Sequence, residues 1–274
     1  MMRSLWTAAS GMSSQQLNVD TIANNLANVN TTGFKRERME FKTLLYETMQ
    51  RADLDRANHP GRPVNLQVGH GVRPVAVSRS FTPGNVMITE SPLDFALQGP
   101  GFFQISLPGG EVGFTRDGSF KLSVNDDGSF SFVTSTGNHV LSTDGGTITI
   151  PPGIRATDVH VNDSGDVGIV NPDGTITDLG VSIGIVQFTN DQGLLAIGSN
   201  LFIESVASGP PIYEIDGDVT RITSVIQGAL EMSNVQIAQE MVDLIVAQRA
   251  FELNSRVIQT SDDMLSQANN LVRR

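Results

Sequence analysis

Two terminal helices on either side of an inserted all-β domain, an α+β architecture, are what this chain of 274 residues predicts. Three observations carry that expectation. Apolar residues recur at intervals of seven at both ends. Between about residues 81 and 228 the repeat disappears, glycine becomes frequent, and Asp-Gly occurs at 117-118, 127-128, 144-145, 173-174 and 216-217. Charge changes at nearly the same places: residues 1–80 hold 10 basic and 6 acidic side chains, residues 81–232 hold 4 and 18, and residues 233–274 hold 4 and 5. The net charge of −11 therefore belongs to the centre, between ends that are close to neutral. The expected division is an N-terminal helix in 1–35, a connecting segment with an extended, hairpin-like excursion in 36–80, an all-β outer domain in 81–228, and a long C-terminal helix in 229–274.

The first helix rests on Leu5, Met12, Val19 and Leu26, with Ala8, Ala9, Ile22, Ala23 and Val29 filling neighbouring offsets of one apolar stripe. It should run from about Ser4 to Val29 and stop near Thr31-Thr32-Gly33, where two β-branched residues precede glycine. Its polar face carries Gln15, Gln16, Asn18, Asn24, Asn25 and Asn28 in place of Lys and Glu. Amides hydrogen-bond in any direction and hold no charge to desolvate, so such a face suits burial against other polar surface.

Residues 46–80 fit neither pattern. Tyr46 to Arg56 could extend a helix, but Asn58-His59-Pro60-Gly61-Arg62-Pro63 breaks it, and the stretch from Val68 to Pro74 reads as extended chain re-entering β-structure at Val75 and Val77. A loop of that length is usually functional or disordered. Tyr46, Arg51, Pro60, Pro63 and Leu66 are its marker residues.

In the middle, Asp-Gly between short apolar or β-branched runs signals hairpins, with type I′ turns the expected form. Gly113 to Arg116 and Ser119 to Leu122 flank the first, and Thr147 to Ile150 follow the third. With 6% aromatic residues, no heavy aromatic core is expected.

The last helix is marked by Ile237, Leu244, Phe251, Ile258, Leu265 and Val272, with Ala250, Val257, Met264 and Leu271 as a second row. No Pro or Gly interrupts Ser233 to Leu271, giving a helix roughly 60 Å long at 1.5 Å per residue. Ser233 and Gln236 have capping-box spacing. A strict seven-residue repeat of that length calls for a helical partner, and the N-terminal helix is the simplest one, in a coiled coil.

Chemistry is harder to find. The negative charge argues against nucleic acid or an anionic membrane as partner. No run approaches the roughly 18 apolar residues of a membrane span, and the N-terminus lacks the apolar region of a secretory signal, so no membrane insertion is expected. Cysteine is absent. His59, His70, His139 and His160 are scattered without metal-ligand spacing. Asn125-Asp126-Asp127-Gly128 and Asp163-Ser164-Gly165-Asp166 read as tight turns more than calcium loops, since neither continues the calcium-loop pattern. Gly99-Pro100-Gly101 fails the dinucleotide fingerprint, and Lys35-Arg36-Glu37-Arg38 reads as a salt-bridged solvated face. Acidic residues such as Asp94 and Asp117 could be imagined as a carboxylate pair for glycoside cleavage, but the sequence does not place them at the required separation. The expectation is no catalysis, no metal and no cofactor.

A family resemblance covers both ends and the first third of the β region. Asp20-Thr21-Ile22-Ala23-Asn24-Asn25-Leu26-Ala27-Asn28-Val29-Asn30-Thr31-Thr32-Gly33-Phe34-Lys35 resembles the N-terminal signature of the bacterial flagellar rod and hook proteins. Ser233-Asn234-Val235, Glu240 to Ile245, Gln248 to Glu252, Asn254 and Asp263-Met264-Leu265 are similar to that family's terminal helix. Leu93 to Phe103, with Gly99, Gly101, Phe102 and Phe103, and Phe114 to Phe120, with Arg116, Asp117 and Gly118, also fit. Met1 to Trp6, Leu44-Leu45-Tyr46 and Gly69 to Pro74 look most like the family's distal-rod branch. The resemblance implies a subunit exported unfolded through the flagellar type III apparatus. It would polymerise helically into a straight, rigid driveshaft, with other rod proteins below, the hook protein above and bushing rings outside where an outer membrane exists; the alternative is a sister axial protein, proximal rod or hook, ahead of a wall hydrolase. Its place would be the periplasmic rod of the basal body. The excursion would brace neighbouring subunits.

Overall fold

The computed structural model describes residues 2–50, 64–214 and 223–272, and these fall into two compact units. One comprises residues 1–26, 37–78 and 236–274, the other residues 27–36 and 79–235. Residues 27–35, grouped with the N-terminal helix in the sequence reading, and Arg36, grouped with the connecting segment, thus belong with the β-structure.

In the first unit, helix α1 spans Met2–Ala27. Four strands follow in chain order: β1 (Glu37–Thr43), β2 (Tyr46–Gln50), β3 (Leu66–Gly69) and β4 (Val72–Arg79). Helix α2 spans Ile237–Val272. It starts later than its capping-box spacing suggested. Ser233 Oγ accepts a hydrogen bond from the Val235 amide at 3.2 Å, closing a local turn, and the Glu240 amide donates to the Gln236 carbonyl at 3.0 Å where α2 begins.

The two helices meet along a row that the apolar pattern did not mark. Ser4 and Ser261 hydroxyls lie 3.5 Å apart, the Asn254 amide fills the space in front of Gly11, and Asn25 Nδ2 donates to Glu240 Oε2 at 3.1 Å. The contacts advance along α1 as they retreat along α2, so the helices run antiparallel, and their spacing is a multiple of seven on both sides. Ala8, Ser14, Thr21, Ile22 and Asn25 are buried on α1, and Glu240, Ala247 and Ser261 on α2. Leu5, Met12, Val19 and Leu26, like Leu244, Phe251, Ile258 and Leu265, are half-buried beside this row, while Ile237 is exposed. The expected seam is displaced by one row. Hydrophobic periodicity cannot see a row built from Ser, Gly, Ala and Asn.

Strands β1 and β4 form a two-stranded ribbon. Strands β2 and β3 pair antiparallel, with Tyr46 opposite Gly69 and Gln50 opposite Leu66. The excursion is therefore a hairpin on its described residues, and the helix considered from Tyr46 is overturned for 46–50. The reason is a partner some twenty residues away that local propensity cannot register. Arg51, Pro60 and Pro63 lie outside the described residues. At the base, Arg3 NH2 is 2.7 Å from Glu47 Oε2.

The second unit holds β5 (Val86–Ile88), β6 (Phe95–Gln98), β7 (Phe102–Ser106), β8 (Val112–Thr115), β9 (Lys121–Val124), β10 (Phe130–Val133) and β11 (Thr149–Ile150). After these come β12 (Val159–Val161), β13 (Asp166–Val170), β14 (Ile176–Ser182), β15 (Ile185–Gln187), β16 (Leu195–Gly198), β17 (Leu201–Ile203), β18 (Ile212–Tyr213), β19 (Ser224–Gln227) and β20 (Ala229–Glu231). Its largest sheet has the order β16-β17-β8-β7-β15-β18. Successive residues of a strand face opposite sides, so Phe102 and Phe103 divide between two cores. Phe103 joins Phe95, Phe120 and Phe132 in the larger one, and Phe102 joins Phe114, Phe188 and Phe202 in the smaller. Edge-to-face ring pairs such as Phe103–Phe120 at 5.1 Å and Phe114–Phe188 at 4.8 Å hold both together. The low aromatic fraction misled because the phenylalanines are concentrated in this unit.

The turns follow one rule. In six five-residue stretches beginning at Leu107, Asn125, Thr134, Ser142, Asn162 and Asn171, the glycine at the fourth position donates to the first carbonyl, and the first amide donates to the fifth carbonyl. Those glycines, at 110, 128, 137, 145, 165 and 174, have φ between +76° and +87°. The last five are type I turns closed by a left-handed glycine, three-residue loops, whereas in the first Gly109 at φ +114° makes the turn type II. The turns at 127-128, 144-145 and 173-174 are thus real but not type I′, because their aspartates keep negative φ. Ser199 and Asn200, at φ +52° and +57°, form the I′ loop that the structure does show, between β16 and β17. The pair at 216-217 lies outside the described residues. Asp117-Gly118 is no hairpin: β8 pairs with β7 and β17, and β9 with β10. Gly118 is glycine because a Cβ there would sit 1.8 Å from the Phe95 carbonyl oxygen.

Candidate assembly interface and its buried anchor

The motif residues converge inside the second unit. Lys35, expected on a solvated face, is buried, with Nζ 2.7 Å from Glu231 Oε1 and donating to the Thr82 carbonyl at 3.0 Å. Arg116 NH1 is 3.0 Å from the other oxygen, Glu231 Oε2, and its NH2 donates to the Gly99 carbonyl at 2.6 Å. The Gly84 amide completes the shell of Glu231 at 2.8 Å. The solvated reading of Lys35 failed because its counter-ion stands 196 residues away, beyond any local charge pattern.

Two cations share one carboxylate here. Burial opposes ionisation of Glu231, but Arg116, then Lys35 and the hydrogen bonds outweigh it and hold the carboxyl below 4.5. Burial, reinforced by Arg116 and opposed by Glu231, holds the Lys35 ammonium below 10.5. Burial also raises Asp191 above 3.8, with Arg116 and Lys35 opposing.

The surrounding motif positions serve this cluster. Gly33, at φ +66°, donates its amide to the Glu231 carbonyl at 2.9 Å and leaves only 2.6 Å between an added Cβ and the Asp117 amide nitrogen. Phe34 is buried. At Gly101 a Cβ would meet Ile185 and Thr223 within 3.0 Å. The Phe102 ring lies 5.4 Å beneath the Arg116 guanidinium. Asp117 Oδ1 accepts from Thr32 Oγ1 at 2.9 Å and the Ser119 amide at 3.1 Å, and Asp94 Oδ2 accepts from Thr89 Oγ1 at 2.7 Å. Both carboxylates considered for hydrolysis are thus spent on holding loops. Sequence reasoning missed Glu231 and Asn200, and gave Asn234 only as part of a motif, without a role. Asn200 Nδ2 donates to the Thr32 carbonyl at 2.8 Å, and Asn234 bridges the Arg36 amide and the Ser80 carbonyl at 2.7 and 2.8 Å. A lone acid in the apolar stretch Ala229-Leu230-Glu231 was the available signal.

Of the three grouped amides, Asn24 is exposed and Asn25 buried on α1, and Asn28, just past its end, is half-buried. Asn25 Nδ2 donates to the Glu37 carbonyl and its Oδ1 accepts from the Glu37 amide, both at 2.8 Å, so the side chain pairs with β1 as a strand would. The same Nδ2 reaches Glu240. Asn25→Asp removes this donor and sets an anion against Glu240. A loss of about 3 kcal/mol is expected from the lost bonds and the new repulsion, read as a lowered midpoint in chemical denaturation monitored by helical circular dichroism. An unchanged midpoint would show that the junction is incidental.

A row of exposed apolar residues runs along α2 with no cover among the described residues. Ile237, Met241, Ile245, Leu253 and Val257 recur every fourth residue, with Arg249 at the one polar step, and all five are between 43% and 60% exposed. Met264 and Leu271 continue the face. On α1, Trp6 is 74% exposed, and Tyr46, Met49 and Leu66 are exposed on the hairpin. An exposed apolar stripe of this kind, interrupted at Arg249, marks an interaction surface. No described helix is long and apolar enough to cross a membrane.

Residues 5–35 match the flagella basal body rod protein family, residues 96–169 the D1 domain of the flagellar hook protein FlgE/F/G, and residues 226–271 the C-terminal region of the flagellar basal body rod FlgEFG proteins. The flagellar basal-body rod protein FlgG of Borreliella burgdorferi is 48% identical over 274 residues, covering 100% of both chains. FlgG of Caulobacter vibrioides is 45% identical over 273 residues, covering 98% of this chain and 99% of its own, and that of Bacillus subtilis 39% over 276 residues, covering 100% of each. The chain belongs to the flagellar rod and hook family and is a structural subunit of the distal rod of the flagellar basal body.

Proposed function

We propose that this subunit acts by assembly and not by catalysis, polymerising helically into a straight, rigid tube that carries motor torque to the hook and encloses the export channel. Helices α1 and α2 pair as an antiparallel coiled coil, and residues 1–35 and 229–274 build the inner layers. The acidic β-structure of residues 81–228 faces outward, toward bushing rings where the organism has an outer membrane. Other rod proteins lie below and the hook protein above. The chain reaches this periplasmic position unfolded, through the type III export apparatus. The excursion marked by Tyr46 and Leu66 braces neighbouring copies.

The observation that carries this reading is the exposed stripe on α2. Antiparallel contacts use the small and polar row, which leaves Met241, Ile245 and Leu253 for other copies. Burying them offsets the entropy of ordering a long helix. The test is a chain lacking residues 1–26 and 237–274, which retains Lys35 and Glu231. It is expected to keep the second unit folded, to sediment as a monomer and to form no filaments, whereas the full chain forms straight hollow tubes in electron micrographs. Straight filaments from the truncated chain would overturn the reading.

A further inference from the structure

Two exposed features outside the helix stripe complement each other. In the second unit a cleft of about 520 Å³ is lined by Glu111, Val112, Phe114, Ile203, Glu204 and Tyr213. Phe114 is buried at its floor, Val112 and Tyr213 are over a third exposed, and Glu111 and Glu204 stand exposed at its rim. Neither glutamate has an ion pair among the described residues. In the first unit the β1–β4 ribbon is cationic and apolar. Arg73, Val75 and Val77 share one face of β4 by alternation, with the valines 46% and 44% exposed. Arg38 and Lys42 share one face of β1, with Glu40 between them, all exposed. Arg38, Lys42 and Arg73 also lack ion pairs among the described residues.

We propose that the β1–β4 ribbon of one copy docks in the acidic cleft of the next copy. This rests on the assembly reading above and names a contact within it. Two different patches that complement each other make a head-to-tail contact, which propagates as an open helical polymer unless the rotation closes a ring. The apolar floor supplies burial, and the rim charges fix orientation and exclude a like-charged face. The division of charge along the chain, 10 basic against 6 acidic residues in 1–80 and 4 against 18 in 81–232, is what such a contact requires.

Charge exchange tests it on the full chain, by sedimentation and electron microscopy of the polymer. Glu111→Lys with Glu204→Lys, and separately Lys42→Glu with Arg73→Glu, should each raise the concentration needed for polymerisation by more than about tenfold. The chain carrying all four changes should assemble again. Circular dichroism checks each fold. If a reversed variant fails to fold, the corresponding Gln substitutions replace it, and their assembly should lose salt dependence. Wild-type-like assembly of both double variants, or no recovery in the fourfold variant, would overturn the contact while leaving the polymer reading intact. A wild-type chain that stays monomeric under the same conditions would overturn both.

Discussion

Replacing Glu231 by Gln is expected to cost about 3–5 kcal/mol of the stability of the second unit, measured as a lowered urea midpoint followed by near-ultraviolet circular dichroism. The change conserves shape, so packing hardly alters. What is lost is the carboxylate against which the Lys35 and Arg116 side chains lie at 2.7 and 3.0 Å. Breaking a buried pair from one side is costly because the remaining charge has neither water nor counter-ion. Here two cations are left, with Asp191 the other anion that acts on both.

The pH dependence follows from the direction of each shift. Glu231 is held below 4.5 in the folded chain, so its contribution is complete above about that value and disappears as pH falls through the lower folded value. Lys35 is held below 10.5, so the folded chain sheds that proton more readily and gains stability as pH rises between the folded value and 10.5. Asp191, raised above 3.8, acts against stability once pH passes from 3.8 toward its folded value. The difference in stability between wild type and Glu231→Gln should therefore be largest above pH 4.5 and shrink in acid. A constant difference across that range would mean that the cluster contributes shape and not charge.

Ile245→Asp combined with Leu253→Asp is expected to abolish assembly while leaving the subunit intact. Both side chains project from α2 into solvent, 49% and 60% exposed, and the monomer should keep its stability within about 0.5 kcal/mol, as surface changes do. Burying each apolar side chain between copies would contribute about 1.5–3 kcal/mol, and an unpaired carboxylate in that position costs more again. Together these raise the concentration needed for polymer by more than about a hundredfold. Sedimentation velocity of folded material provides the measurement. Filaments at the wild-type concentration would mean that another surface carries the subunit contact.

Much of this was legible in the residues. Heptads at both ends set two helices, and Gly at fixed places after Asp or Asn set most hairpin tips, because both signals act within a few residues of chain. The same locality explains the errors. Asp117-Gly118 has the composition of a turn, but Gly118 is required by the Phe95 carbonyl from another strand. Lys35 sits among Arg36, Glu37 and Arg38 and so reads as solvated, although its partner is Glu231. Tyr46 begins a strand because Gly69 lies opposite, and the helix seam passes through Gly11, Asn25 and Ser261, which no hydrophobic pattern marks.

By itself the sequence determined the α+β plan, the division of charge and the family, since each depends on periodicity, composition or contiguous motifs. Tertiary structure alone decided what the motifs are for. Gly33, Lys35, Arg116 and Glu231 meet in a buried cluster, and the stripe on α2 is left uncovered, because desolvation of a charge and exposure of an apolar face depend on neighbours far away in the chain.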